Sequence, residues 1–303
     1  MDPTAIALVL GLQQAQTNNA SAAPATPTFQ SLFDRCANQP LFRFEGEPVR
    51  IDLTAGAWLA RLRGNASFGP ISTTQQDVNS FYGLQDLEGA FQGDLSLNWK
   101  NWRLRFTGSE FSTNATQAAP TAGAFGNTVF VAGNSLNSTF NFYSWGLDAQ
   151  SWVWRPLSKQ AFPWEAAVPT ENLGGDLQIV AIVGGRGFGV NQQVENQTLG
   201  SSSTYSNTFG TVIFGGGVDV MVDLRDRIGF IDHIQFSATG TWGPAWPGSS
   251  CTETEIRTQF TAWITGNVGV LLGYRYTYLN LSQGGYTFSG DVAGLIVGAS
   301  VRF

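Results

Sequence analysis

The sequence predicts an all-β protein, built as a closed, antiparallel, up-and-down transmembrane β-barrel of about ten strands, within a range of roughly 8–12. Three observations carry that expectation. The 303 residues include 36 Gly and 13% aromatics, with 13% charged residues against ~25% in ordinary soluble domains. Apolar residues recur with period two, which places them on one face of a strand. Long polar connections alternate with tight turns, as they do in barrels that cross a bilayer. Other classes are excluded by simple counts. A net charge of −6 excludes a basic nucleic-acid binder. Two cysteines exclude a disulfide scaffold. The longest apolar run, Ala5–Leu12, has about eight residues, and a spanning helix needs ~20.

Residues 1–28 read as a leader or disordered segment: a short apolar core, a polar stretch and the small residues Ala20-Ser21-Ala22, as in a signal peptide. The n-region departs from that pattern, because Asp2 precedes any basic residue and the first one is Arg35. Residues 29–48 read as a periplasmic or plug segment, and 49–303 as the barrel. Cys36 and Cys251 fall on opposite sides of the membrane in this topology, so no bond between them is expected.

The strands follow in order. Ile51, Leu53, Ala55, Ala57 and Leu59 alternate with Asp52, Thr54, Gly56 and Trp58. Leu87, Phe91, Leu95, Leu97 and Trp99 oppose Glu88, Gln92, Asp94, Ser96 and Asn98. Lys100-Asn101 is a two-residue turn, after which Trp102, Leu104 and Phe106 oppose Arg103, Arg105 and Thr107. The pattern repeats near 140–154, 176–187, 208–224, 229–242, 255–265, 268–278 and 291–303. These runs of about 10–15 residues exceed the usual globular strand and suffice to cross a membrane. Stretches 64–86, 110–138, 189–206, 243–253 and 280–288 read as long loops, and 225–228 and 266–267 as turns. Both ends of the barrel then fall on the short-turn, periplasmic side.

The inward face carries seven arginines (Arg50, Arg103, Arg105, Arg186, Arg257, Arg275, Arg302) and six acids (Asp52, Glu88, Asp94, Asp148, Asp219, Asp223). Charges in a narrow lumen must pair, because unpaired burial is costly. With Trp58, Trp152 and Trp154 also inward, a narrow or plugged barrel is expected. Trp99 and Trp102 at one end, and Trp242, Tyr276 and Tyr278 at the other, fit interfacial girdles.

The chain ends Gly298-Ala-Ser-Val301-Arg-Phe303: Gly, two residues, a hydrophobe, one residue and a terminal aromatic. This resembles the assembly signal of bacterial outer-membrane barrels, with Ile296 standing where the pattern has a polar residue. Gly273-Tyr-Arg-Tyr-Thr-Tyr-Leu-Asn-Leu and the strand that follows resemble small barrels of the opacity-protein and OmpW-like kind. The resemblance implies residence in the bacterial outer membrane. It also implies insertion by the barrel assembly machinery through Gly298, Val301 and Phe303.

Chemistry-bearing motifs are few. His233, the only histidine, follows Asp232, but adjacent strand residues face opposite ways and no barrel-enzyme pattern surrounds the pair. One His and two distant Cys make no metal site, and no cofactor is expected. Gly184-Gly-Arg-Gly-Phe-Gly189 lacks the helix that a phosphate-binding loop needs, and reads as glycines easing curvature. The partners implied are the lipid bilayer and, through the long loops, an extracellular ligand. The function expected is non-enzymatic: a structural, surface-interaction or narrow-pore, porin-like role in the envelope. The rivals are a barrel-embedded lipid- or peptide-modifying enzyme with an acid cluster among Asp77, Asp86, Glu110, Glu195 and Glu253, or a soluble secreted β-barrel or sandwich binding protein.

Overall fold

The computed structural model describes residues 42–303 except 45–46, 71–73, 155–174, 225–227, 229 and 249. The leader expectation, Cys36 and the first part of the 29–48 segment lie outside the described residues. The described secondary structure is all strand. In chain order the elements are β1 (Phe42–Phe44), β2 (Glu47–Phe68), β3 (Gln76–Asp77), β4 (Glu88–Trp99), β5 (Trp102–Ala118), β6 (Gly123–Phe125) and β7 (Thr128–Phe130). There follow β8 (Ser135–Trp154), β9 (Gly175–Asn196), β10 (Ser201–Asp223), β11 (His233–Trp246), β12 (Cys251–Trp263), β13 (Val268–Gln283) and β14 (Tyr286–Arg302).

Ten of these strands form an antiparallel ring in the order β2-β14-β13-β12-β11-β10-β9-β8-β5-β4. The ring closes where β2 pairs with β4, from Val49↔Trp99 to Ala60↔Glu88. Closure gives each of the ten strands two neighbours, so the ring has no edge strand, as a hydrocarbon surrounding requires. β1 pairs back on the start of β2, β3 pairs with β2 at Asn65↔Asp77, and β6–β7 is a separate hairpin.

Along the membrane half of each strand the parity follows the sequence reading. Leu95, Phe106, Leu147, Phe260, Leu272 and Leu295 point outward and are exposed. The residues between them, such as Asp94, Arg105, Asp148, Arg257 and Arg275, are not exposed and lie inside. Among the described residues no second sheet covers the apolar face; the other sheet is the two-stranded β6–β7.

Two expectations are corrected. The stretches 189–206 and 280–288 are strand rather than loop. β9 and β10 run for 22 and 23 residues and meet at Gln197–Gly200, and β13 and β14 meet at Gly284-Gly285. At ~3.3 Å per residue β9 and β10 are about twice as long as a crossing needs. Trp154 points outward and is 60% exposed, because a bulge shifts the β8–β9 register between Trp152 and Trp154. A one-residue slip moves a side chain to the other face.

The ends of the ring are distinct. One, here the proximal end, carries the start of β2, the end of β14 and the Lys100-Asn101 and 264–267 turns. The distal end carries the connections 69–87, 119–134, 197–200, 247–250 and 284–285.

Candidate functional site: a stratified lumen

Three layers fill the barrel. The distal layer is apolar, because above the membrane half the strands invert their pattern. On β9, Phe188, Val190 and Val194 face inward while Asn191 and Gln193 face outward. On β10, Tyr205 and Phe209 are buried while Thr204, Ser206 and Thr208 are exposed. Two connections fold into this space. The 69–87 segment contributes Val78, Phe81, Tyr82 and Leu84, and the β6–β7 hairpin contributes Phe125 and Phe130. Tyr205 stacks on Tyr286 at 3.9 Å between ring centroids, and Tyr286 donates its hydroxyl proton to Gln192 Oε1 at 2.8 Å. The hairpin is tied down by Gly126 N–H to Phe68 O (2.7 Å) and by Asn127 N–H to Ser203 Oγ (2.9 Å).

The middle layer is ionic. Arg186 Nη1 reaches Glu253 Oε1 at 2.7 Å and Glu255 Oε2 at 3.3 Å. Arg275 bonds Glu255 through Nε at 2.8 Å, donates to Ser144 Oγ at 3.2 Å, and lies 5.0 Å over the Trp58 ring. Arg257 forms a two-pronged pair with Asp94, and Arg105 donates twice to Asp148 Oδ2, at 3.2 and 3.0 Å. Four guanidiniums thus meet four carboxylates, and Trp58 is fully buried beside them.

The proximal layer is polar and open. A small recess is lined by Arg50, Asp52, Asn98, Arg103, Gln178, Asp219, Gln235 and Arg302, among others. Arg302 donates to Asp52 at 2.8 Å, Arg103 lies 3.4 Å from Asp219, and Arg103 donates to Asn98 at 2.8 Å. Asp52 also accepts from Asn98 Nδ2 at 3.0 Å.

Most of the sequence-derived lumen charges therefore fall in the middle and proximal layers. Glu88 accepts from Thr113 at 3.4 Å, and Asp223 stands opposite His233 in the β10–β11 ladder. Glu255 and Asp176 were missed. Glu253, which the sequence places in the 243–253 loop, is 1% exposed and ion-paired in the lumen. The signal was present: Glu253, Glu255 and Arg257 keep a single parity with Gln259 and Thr261.

His233 also departs from expectation. Asp232 precedes β11, so strand alternation does not govern it, and its carboxylate meets His233 Nδ1 at 2.8 Å. Nε2 lies 3.3 Å from Arg302 Nη1, and the ring stacks on Trp263. Both ring nitrogens are occupied by protein groups. Among the described residues no group of three or more His, Cys, Asp or Glu is placed to hold a metal. The acids Asp77, Asp86, Glu110, Glu195 and Glu253 make no cluster. Asp77 accepts from the backbone of Asn79 and Ser80, and Glu253 is in the lumen.

Of the C-terminal residues, Gly298 lies where a Cβ would sit 2.3 Å from Ala55 O across the β14–β2 seam. Val301 pairs with Leu53 and Val268, and Phe303 donates its N–H to Ile51 O at 2.9 Å. Trp102 and Trp242 are exposed on the outer wall, while Trp99, Tyr276 and Tyr278 are half-buried on it. Cys251 is buried and free, donating weakly to Ser282 O.

The deciding observation is the outer wall. Its exposed Leu, Val, Ile, Phe and Trp form a continuous apolar face around a closed ring with charges inside, an arrangement that water does not favour and lipid does. The chain is a transmembrane β-barrel. Among solved structures, the barrel is similar to the outer membrane protease OmpT from Escherichia coli (TM-score 0.43, 8% identity, covering 88% of this chain and 100% of that one). It is also similar to Ail, the attachment invasion locus protein of Yersinia pestis (TM-score 0.33, 10% identity, covering 84% of this chain and 98% of that one). No protein-family model matches the sequence, and no curated protein matches it.

Proposed function

We propose that this barrel is a bacterial outer-membrane protein with a non-enzymatic envelope role, occluded to solutes and presenting its distal end at the cell surface. The observation that carries the reading is the filled distal lumen. Phe125, Phe130, Tyr82, Tyr205 and Tyr286 are packed where a pore would need water. The paired middle layer supports it, since compensated guanidinium–carboxylate clusters brace a barrel from inside and leave no charge free for a permeating ion. The distal end then faces outward, and the ends of the barrel, β2 and β14, face the periplasm. Gly298, Val301 and Phe303 act in insertion by the barrel assembly machinery. Trp99, Trp102, Trp242, Tyr276 and Tyr278 sit at the bilayer interfaces, and the long connections offer the surface for an extracellular ligand.

Planar-bilayer recording tests the occlusion. Wild-type protein is expected to give no large, stable conductance, and a steady open channel overturns the reading. An enzymatic role would need activity that is lost when Asp77, Asp86, Glu110 or Glu195 is substituted. Such a loss would overturn the non-enzymatic reading.

A further inference from the structure

The outer wall is almost free of basic side chains. Among residues whose side chains the structure describes, seven arginines face the lumen, Lys100 sits in a proximal turn, and Arg61 and Arg63 alone point outward from a strand. Both are exposed, and among the described residues neither guanidinium has a hydrogen bond or ion pair.

Their position is set by register across β2, β14 and β13. Leu59, Leu295 and Tyr274 form one row of the apolar wall. The next row toward the distal end is Arg61, Ala293 and Tyr276, then Arg63, Asp291 and Tyr278, then Asn65, Ser289 and Asn280. The two arginines thus stand at the step where apolar rows give way to polar ones, next to a ridge of tyrosines. Ala293, between Arg61 and Tyr276, leaves room over the strand. Asp291 offsets part of the charge of Arg63, and Arg61 has no carboxylate in its row. On its other side, the β2–β4 ladder ends at Ala60↔Glu88, and β2 pairs with β3 from Asn65.

Arginine facing lipid costs about 2–4 kcal/mol at mid-bilayer and little at the interface. Two neighbouring guanidiniums at the interface are tolerated best where an anion neutralises both. Their planar donors match a phosphate, which accepts paired N–H bonds. We propose that Arg61 and Arg63 bind the phosphate of an outer-leaflet lipid headgroup, held beside Tyr276 and Tyr278. The proposal rests on the outer-membrane reading above.

The test uses the full chain in detergent, with a diphosphoryl disaccharide lipid, its dephosphorylated counterpart and inorganic phosphate as probes, and retention read by native mass spectrometry. The double variant R61Q/R63Q is expected to bind the phosphorylated lipid about tenfold more weakly, the effect of losing one charge-assisted contact. R61K/R63K should lie between the two. The dephosphorylated lipid should bind the wild type no better than the Gln variant does, and equimolar inorganic phosphate should not displace the lipid. Unchanged binding by R61Q/R63Q, equal binding of the dephosphorylated lipid, or displacement by inorganic phosphate each overturns the proposal. Heat-modifiable gel mobility, run on every sample, separates the two readings. If it is present throughout while the lipid result fails, only the lipid site falls; if the wild type lacks it, the barrel reading falls as well.

Discussion

At the scale of single residues, the buried ion pairs are the most exacting feature. Asp94 is matched by Arg257 in a two-pronged contact, and both are buried in the middle layer. Removing one partner of a buried pair leaves an uncompensated charge, at a cost of about 3–5 kcal/mol. Asp94→Asn should therefore lower the temperature at which the folded, fast-migrating gel band is lost, whereas D94N combined with Arg257→Met should recover much of the loss. Tyr82 gives a pH prediction in the distal connection. Burial pushes its phenol above the ordinary value of 10.0. The unfolded chain then releases this proton first, so stability is full below pH 10.0 and declines as pH rises past it. Tyr82→Phe should flatten that alkaline decline in a melting series. The inward parity of the arginines was readable at this scale. The Asp232–His233 contact was not, since the residue before a strand escapes the alternation rule.

Elements obey a rule that changes along their length. In the membrane half of β9, Leu177, Ile179, Ala181 and Val183 face outward; further on, Phe188, Val190 and Val194 face inward. Alternation is conserved while its meaning reverses, because lipid is replaced by water outside and the lumen becomes a dry core. A reading that follows one apolar parity loses the strand at the inversion, which is why 189–206 read as a loop. The glycines of 184–189 take part in the same transition. A Cβ on Gly189 would lie 2.2 Å from the Tyr143 ring, and one on Gly187 would lie 2.6 Å from Trp145. They are beds for neighbouring aromatics, not only relief for curvature. Gly189→Ala should displace Tyr143, break its 3.0 Å bond to Thr208 and cost about 1–3 kcal/mol by overpacking. Gly89→Ala, with no atom within 4 Å, should be silent in the same unfolding assay.

For the whole molecule, the sharpest prediction compares two exposed leucines. Leu272 lies on the apolar wall and is 53% exposed, and Leu199 lies at the tip of the β9–β10 hairpin and is 65% exposed. In a water-soluble barrel, Arg at either site would be harmless. In a bilayer, Leu272→Arg should cost about 2–4 kcal/mol and reduce the folded, membrane-fractionated yield, while L199R should leave it unchanged. Equal behaviour of the two variants would remove the membrane from the account.

The sequence by itself determined the up-and-down barrel of about ten strands, the parity of each membrane half and the pairing of tight turns with one end, since these depend only on local alternation and turn chemistry. Tertiary structure alone decided what fills the tube. The inward fold of the 69–87 and 119–134 connections, the partners of each arginine and the outward turn of Trp154 all arise from contacts between residues far apart in the chain. Alternation assigns a side chain to a face; only closure of the ring brings opposite walls within reach and fixes which group it meets there.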